Sequence, residues 1–376
     1  MVACGDKGGR LQSLDALRGF DMLMIMGFGT VAVCALKACG CGADSALVQQ
    51  FSHVDWHGLR FEDTIFALFL FIAGVSFPFS FAKRCASGSG RGRMVVTILR
   101  RAFLLFLLGL VYNGLCDLNF KNLVWGSVLG RIGVAWALAA LVYVFCGLKA
   151  RVAVAAGILL GYWTLTFAVQ APDFPDASVL TPQGNFACYV DRLLMPGKLT
   201  VAGLYTNQGL LGTVSAVVTA MLGMFAGDLL RVPTLGGTRK AGLLALGAVA
   251  LTALGLVVAF GCGAWSFPIN KKLWSPSFVL VVGGYSAAML ALFYWLVDVR
   301  GWTRWTFFFR VIGLNSITIY LAKRFIPFGQ VAKGFLGGLS GLLPKAWGDL
   351  LLATGALALA WLFLWFLHRH KTYLKV

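Results

Sequence analysis

Six side chains that can bind or release a proton, or carry a charge, crowd into the stretch FSHVDWHGLRFEDTIF at residues 51–66. The whole chain has only four histidines and 12% charged residues, so this density is unusual within it. Histidine is the one side chain whose ordinary pKa lies near neutrality, so it can take a proton and return it. The stretch therefore predicts a general base or a nucleophile. The six residues are His53, Asp55, His57, Arg60, Glu62 and Asp63.

Two other interpretations of the stretch stay open on the residues alone. If the chain is helical from about Val54, His53, His57 and Arg60 share one face, and Arg60 meets Asp63 three residues later. Two histidines four apart with a carboxylate could bind a metal, but this spacing is common by chance, and the nine cysteines add no zinc-ligand pattern. A structural histidine at the membrane interface is the other alternative. We expect no metal.

Two arginines fall in or beside apolar segments, where an unpaired charge is costly. Arg18 lies three residues after Asp15, so the two can form a salt bridge, or Arg18 can bind a cofactor phosphate at the cytoplasmic mouth. Arg131, in VLGRIGVAWAL, needs an anionic partner. That partner is either a structural carboxylate, Asp63 or Asp117, or a phosphate or carboxylate of a ligand.

The segment PINKKLWSPS at residues 268–277 carries two adjacent lysines, Lys271 and Lys272. Two cations in one short loop indicate anion binding. In VIGLNSITIY at 311–320, Asn315 and Ser316 interrupt an apolar run. They can hydrogen-bond to a neighbouring helix or contribute to a ligand site.

The composition places these residues in a membrane protein. Of the 376 residues, 59% are hydrophobic, and the mean hydropathy is +0.82. A soluble protein of this size could not bury so much apolar surface. We therefore predict an all-α, polytopic integral membrane helix bundle that forms a single domain over residues 1–376. Because the first ten residues, MVACGDKGGR, are polar, we expect no cleavable signal peptide.

About ten segments are long and apolar enough to span a bilayer, which takes about 20 residues each. The ninth is the weakest, because polar residues interrupt it. Residues 324–347 are predicted as an interfacial or re-entrant segment, or as an eleventh span. The ten spans are 17–38, 61–82, 95–115, 127–147, 152–171, 209–230, 241–262, 277–297, 306–323 and 348–368.

Charge predicts the orientation of these spans. With ten spans both termini lie on one side, and most of the 32 lysines and arginines, including Lys7 and Arg10, fall in loops on that side. The positive-inside rule then makes both termini cytoplasmic. His53, Trp56 and Lys271 share the non-cytoplasmic face.

The same rule explains the net charge of +18 without a nucleic acid, since the chain has no Lys/Arg-rich tail. The expected partner is membrane lipid. The oligomeric state stays open, a homodimer included. Gly223 and Gly227 form a small-xxx-small pair that favours packing within the chain over a dimer contact.

Several segments, in order along the chain, resemble the heparan-α-glucosaminide N-acetyltransferase family of transmembrane acyltransferases, with details closer to an uncharacterised bacterial branch. The resemblance covers nearly the whole chain. It departs from the family pattern at Gly29, His57, Gln208 and Lys323-Arg324. The segments include SLDALRG at 13–19, HVDWHGLRFEDTIFALFLFIAGVSFP at 53–78, VLGRIG at 128–133, PINKKLWSPSF at 268–278 and GLNSITIYL at 313–321.

The resemblance implies transfer of an acetyl group from acetyl-CoA to an amino sugar or related glycan acceptor on the non-cytoplasmic side. It implies that His53 is the essential histidine and Asp63 its acid. Arg18 and four further positions that the resemblance implies are expected to bind acetyl-CoA. Three residues with ring side chains, in the opening stretch and in the segment 268–277, are expected to contact the acceptor. The cofactor set is Arg18, Arg131, Asn270, Lys271 and Asn315; the acceptor set is Trp56, His57 and Trp274.

Two rival functions fit the same spans. A transporter or exporter of a sugar or cell-envelope precursor would also need a polar cavity within an apolar protein, although the chain shows no repeated halves. A homologue that has kept the fold and lost catalysis is the other alternative.

Overall fold

A computed structural model describes residues 11–374 of the chain. The described residues form helices and loops, with isolated β-bridges and no strand among them. The predicted all-α fold class is therefore confirmed. Lys7 and Arg10, which contribute to the orientation argument, lie outside the described residues.

Fourteen α-helices, some containing a π-helical turn, make up the described chain. They are α1 (Gln12–Ala38), α2 (Ala46–Gln49), α3 (Phe61–Ala86), α4 (Arg91–Tyr112), α5 (Val128–Phe145), α6 (Leu148–Ala168), α7 (Phe186–Leu194), α8 (Leu210–Arg231), α9 (Gly237–Gly261), α10 (Pro276–Val299), α11 (Thr306–Leu314), α12 (Ser316–Phe325), α13 (Phe328–Gly341) and α14 (Lys345–Arg369). Within residues 11–374, nine are long and apolar enough to cross a membrane: α1, α3–α6, α8–α10 and α14.

The segment predicted as the ninth span is divided in two. Asn315 has non-helical angles of φ −118° and ψ 25°, and it separates α11 from α12. Its side-chain amide donates to the Val311 carbonyl at 3.4 Å, a local bond that competes with the helical pattern. The following segment, 324–347, contains the short helix α13.

The chain divides into two compact units. Among the described residues, the first consists of 11–40, Thr234–Leu244 and 289–374, and the second consists of Cys41–Pro233 and Ala245–Ala288. In the first unit, α1 and α11 approach closely through glycines. A Cβ on Gly19 would lie 1.8 Å from the Phe309 carbonyl oxygen, and one on Gly313 would lie 2.3 Å from that of Asp15.

The second unit contains a matching close contact between α3 and α8. A Cβ on Gly74 would lie 2.1 Å from the Ala220 carbonyl oxygen, and one on Gly223 would lie 2.1 Å from that of Phe71. Gly227 meets the Val75 carbonyl in the same way. The prediction that Gly223 and Gly227 pack within the chain is confirmed. This contact fixes α3, whose first turn carries the candidate site.

Candidate functional site

The site is built around the carboxylate of Asp63 in the first turn of α3. Arg60, just before the helix, is extended, and its backbone N–H donates to Asp63 Oδ2 at 3.2 Å. The backbone N–H of Val54 donates to the same oxygen at 3.4 Å. A carboxylate is favourable at a helix N-terminus because the helix dipole and the free N–H groups both stabilise it. These contacts leave Oδ1 of Asp63 for other side chains.

His53 uses that second oxygen. Its Nδ1 lies 2.9 Å from Asp63 Oδ1, and because a carboxylate only accepts, Nδ1 carries the proton. The side chain of Asp63 is 2% exposed, whereas that of His53 is 59% exposed. The buried acid therefore holds the ring in one tautomer, whose unprotonated Nε2 is the basic nitrogen.

Lys271 completes the cluster. Its Nζ lies 3.3 Å from Asp63 Oδ1 and 3.3 Å from His53 Nδ1, and its side chain is 21% exposed. Burial lowers the pKa of Lys271, while the charge of Asp63 acts in the opposite direction. The predicted loop cation thus has a carboxylate partner, and it also lies beside His53.

Residues 53–60 are not helical, although the sequence allowed a helix from about Val54, because α3 begins only at Phe61. The expected side-chain pair between Arg60 and Asp63 is therefore wrong: Arg60 reaches Asp63 through its backbone N–H. Its guanidinium donates instead to Ser52 Oγ at 2.6 Å and to the His53 carbonyl at 3.1 Å. Arg60 thereby holds the backbone that presents His53.

His57 and Asn270 form the next layer of the site. Asn270 is fully buried, and its Nδ2 lies 3.4 Å from His57 Nδ1. The other ring nitrogen, Nε2, lies 3.0 Å from the Leu180 carbonyl oxygen, which also accepts from the indole N–H of Trp56 at 2.7 Å. His53 and His57 thus have separate partners. Among the described residues, no group of three or more His, Cys, Asp and Glu side chains could hold a metal ion.

Arg131 is buried beside this layer. It donates to the Gly209 carbonyl at 3.2 Å and to Thr213 Oγ1 at 3.3 Å, and its guanidinium lies 5.0 Å from the ring centre of Trp274. Its Nη1 has no hydrogen-bond partner in the described structure.

The charge of Arg131 acts on Asp191, and both residues adjoin Gly209: Arg131 donates to the Gly209 carbonyl, and a Cβ on Gly209 would lie 2.2 Å from Asp191 Oδ2. Among the described residues, no salt bridge joins Arg131 to Asp63 or Asp117, the structural partners that the sequence offered. Burial raises the pKa of Asp191, while backbone N–H groups of Leu210 and Thr206 and the charge of Arg131 act in the opposite direction. A cavity with room for about one water molecule adjoins this carboxylate. Its lining includes Asp191, Tyr205, Thr206, Gly209 and Lys272.

Three predicted site residues have partners other than His53, Asp63 and Lys271. Trp274 is fully buried and donates to Thr219 Oγ1 at 3.0 Å, so it packs within the core and presents no exposed surface to an acceptor. Arg18 and Asn315 belong to the first unit. There Arg18 lies 3.4 Å from Asp15, as the salt-bridge alternative predicted, and Asn315 Oδ1 is buried without a hydrogen-bond partner.

Comparison with known proteins agrees with the resemblance seen in the sequence. The family model for the catalytic region of heparan-alpha-glucosaminide N-acetyltransferase matches residues 10–188. The chain is 27% identical to heparan-alpha-glucosaminide N-acetyltransferase of Homo sapiens over 381 residues, covering 85% of this chain and 54% of that protein. It is 28% identical to the Mus musculus protein of the same name over 335 residues, covering 74% and 50%.

The chain is similar to the heparan-α-glucosaminide N-acetyltransferase family, whose catalytic-region model it matches over residues 10–188. It spans about half the length of the curated relatives it matches. This similarity and the nine apolar helices among the described residues indicate an integral membrane protein that resembles an acyltransferase family.

Sequence reasoning missed three contributors to the site. The Leu180 carbonyl acts through the backbone of an apolar residue, which leaves no signal in the sequence. Asp191 is visible in YVDRLL, but its proximity to Arg131 depends on folding. Ser275 lies next to PINKKLW, and its hydroxyl accepts from the Asn270 N–H at 3.0 Å. A polar residue so close to the motif was the one signal available.

Proposed function

We propose that this protein moves an acetyl group from acetyl-CoA to an amino sugar or a related glycan acceptor on the non-cytoplasmic side of a bacterial inner membrane, with both termini cytoplasmic. The observation that carries the proposal is the His53–Asp63 pair. A buried carboxylate orients an exposed imidazole whose basic nitrogen is free to act.

In the proposed reaction, the acceptor amine attacks the thioester carbonyl, and a C–N bond forms as the C–S bond breaks. His53 Nε2 takes the proton that the amine loses and returns it to the departing sulfur, so free CoA leaves as the thiol. Transfer through an acetyl group carried on His53 uses the same residues and remains the alternative route. Asp63 stabilises the positive charge that the ring acquires in either route.

Lys271 is the proposed donor to the carbonyl oxygen of the thioester as it gains negative charge, and Asn270, fully buried with its amide between His57 and Leu273, supports the loop that carries it. The Lys271 ammonium is 3.3 Å from His53 Nδ1, so it lies beside the reacting group. One such donor is worth about 3–4 kcal/mol in enzymes where it has been removed.

Arg18, Arg131 and Asn315 stay predicted contacts for the cofactor. The Nη1 donor of Arg131 and the Oδ1 acceptor of Asn315 are buried polar atoms without a described partner, which supports a role for each. Trp56, partly buried with its indole N–H on Leu180, and His57 stay predicted for the acceptor side.

The test uses the full chain purified into lipid nanodiscs with acetyl-CoA and glucosamine. We expect release of free CoA together with N-acetylglucosamine, both measured by mass spectrometry. His53→Ala should lower the rate by about 10²–10⁴-fold, the usual contribution of a positioned acid or base. His370→Ala, at an exposed position after α14, is the matched control and should retain the rate.

Two results would contradict the proposal. One is a wild-type protein that releases no CoA with glucosamine or with any N-deacetylated envelope sugar. The other is movement of the unmodified sugar into proteoliposomes without acetylation, which would favour the transporter. A folded His53→Ala variant with the wild-type rate would remove His53 from the mechanism.

A further inference from the structure

His57 joins three segments that are distant in the sequence. It belongs to the stretch before α3, its Nε2 meets Leu180, and its Nδ1 meets Asn270. The neighbouring Gly58 strengthens the junction, because its backbone N–H donates to the Ile269 carbonyl at 2.8 Å. The loop 268–275 is thus attached to the stretch before α3 at two adjacent residues.

The hydrogen bonds of this junction require one protonation state. A backbone carbonyl only accepts, so Nε2 of His57 must carry a proton to bond Leu180. The Oδ1 of Asn270 accepts from the Leu273 N–H at 2.9 Å, which makes its Nδ2 the end that faces His57. Because Nδ2 only donates, Nδ1 of His57 must be unprotonated. The neutral Nε2–H tautomer satisfies both neighbours, and the imidazolium does not.

The environment of the ring is consistent with this state. Burial lowers the pKa of His57, while the bond to the Leu180 carbonyl acts in the opposite direction. The described partners of its two nitrogens are a carbonyl and an amide, and neither carries a charge. The charged or titratable groups on the three segments that meet at the junction are His53, Asp55 and Arg60 before α3, Asp173 and Asp176 between α6 and α7, and Lys271 and Lys272 in the loop 268–275. Tyr205 packs on the ring of Trp56, and Arg192 of α7 donates to the carbonyls of Pro182 and Gln183.

The hydrogen bond from Asn270 to His57 also fixes the backbone position of the next residue, Lys271. The loop turns tightly there, since the Ser275 N–H donates to the Asn270 carbonyl and the Trp274 N–H to the Lys271 carbonyl, at 3.0 and 3.2 Å. A fixed Asn270 therefore fixes the start of the Lys271 side chain, whose ammonium reaches Asp63 Oδ1.

We propose that His57 is a positioning residue that, as the neutral Nε2–H tautomer, holds the 268–275 loop so that Lys271 stays on the His53–Asp63 pair. Protonation of His57 would place two N–H donors against each other and release the loop. The inference deepens the proposed function and rests on it for its effect on catalysis. The effect on the loop itself requires no substrate.

The experiment compares His57→Ala with His57→Gln in the full chain in nanodiscs. Glutamine offers one N–H donor for Leu180 and one carbonyl acceptor for Asn270, so it can replace both bonds, whereas alanine replaces neither. Hydrogen–deuterium exchange of the backbone in 268–275 is measured without substrate, and the buried helix α5 serves as the internal control for global unfolding. His370→Gln is the control for loss of a histidine elsewhere.

We expect His57→Ala to weaken protection of the loop about fivefold, as for the loss of one hydrogen bond, with α5 unchanged. The rate of acetyl transfer should fall about 10–100-fold through misplacement of Lys271, with a smaller effect on the KM for acetyl-CoA. His57→Gln should restore both properties to within about threefold of wild type. In the wild type, but not in His57→Gln, protection of the loop should fall once the pH drops below the pKa of His57, which burial lowers from the ordinary 6.5.

Unchanged loop protection in His57→Ala would overturn the inference, as would a His57→Gln variant that behaves like alanine. If His57→Ala unfolds α5 as well, the pH series on the wild type and His57→Gln decides: equal responses of the two proteins overturn the inference. A wild-type protein that acetylates no amine would defeat the proposed function, and the exchange result would still decide the role of His57.

Discussion

Replacing Asp63 with asparagine changes a charge with almost no change of shape. The two backbone donors at Oδ2, from Val54 and Arg60, would hold the carbonyl oxygen of the new side chain. The amide NH₂ must then face His53. Because that group only donates, the ring would move its proton from Nδ1 to Nε2 and lose its basic nitrogen.

The size of the effect follows from this change of tautomer. In enzymes with a Ser-His-Asp triad, the same substitution lowers kcat about 10⁴-fold. Here the imidazole is 59% exposed, so water can partly support the active tautomer. We therefore expect a loss of about 10²–10⁴-fold in kcat for Asp63→Asn. This corresponds to about 2.7–5.4 kcal/mol of transition-state stabilisation.

The fold should survive the substitution. Both backbone bonds at the start of α3 are retained, and the main cost is the carboxylate partner of Lys271, about 1–3 kcal/mol. The assay is the initial rate of free CoA release with saturating glucosamine, accompanied by thermal unfolding of each variant. Glu62→Gln, a neighbouring acid in the same helical turn, is the matched control, and we expect its kcat within about threefold of wild type.

The reasoning fails if folded Asp63→Asn keeps its kcat within about tenfold of the wild-type value. It also fails if Glu62→Gln loses as much activity as Asp63→Asn, because the effect would then reflect the total negative charge and not the tautomer of His53.

Two further predictions concern stability. Burial lowers the pKa of Lys271 below its ordinary 10.5, so between those two pKa values the unfolded chain binds more protons and the stability of the wild type rises with pH. In thermal unfolding, Lys271→Met should lack this rise and Lys272→Met should keep it. Identical pH slopes in all three proteins would contradict the prediction. Gly74→Ala should destabilise by about 1–3 kcal/mol because the new methyl would lie 2.1 Å from the Ala220 carbonyl oxygen. The control is Gly157→Ala in α6, where the new Cβ would meet no neighbouring atom within 4 Å; it should be neutral or stabilise by up to about 1 kcal/mol. If Gly74→Ala is as stable as Gly157→Ala, the close contact between α3 and α8 is ruled out.

The sequence alone determined the features that depend on neighbouring residues. Runs of apolar side chains about as long as a bilayer is thick identify spans wherever they fold, so the all-α membrane class followed from hydropathy. The break at Asn315 was signalled by its polar side chain. The sequence also placed six titratable or charged residues at the start of one span, and the family resemblance selected His53 and Asp63, ten positions apart, from among them.

Only the tertiary structure decided which distant groups meet. Lys271 is 208 positions from Asp63, and Asn270 is 213 from His57, so these contacts depend on how the loops fold together. The sequence offered Arg131 either Asp63 or Asp117 or an anion of the ligand, whereas packing places both Arg131 and Asp191 against Gly209. It also placed Trp274 at an acceptor, whereas packing buries that ring. The sequence shows which side chains carry a charge or an aromatic ring, but their burial and their partners depend on how the whole chain folds.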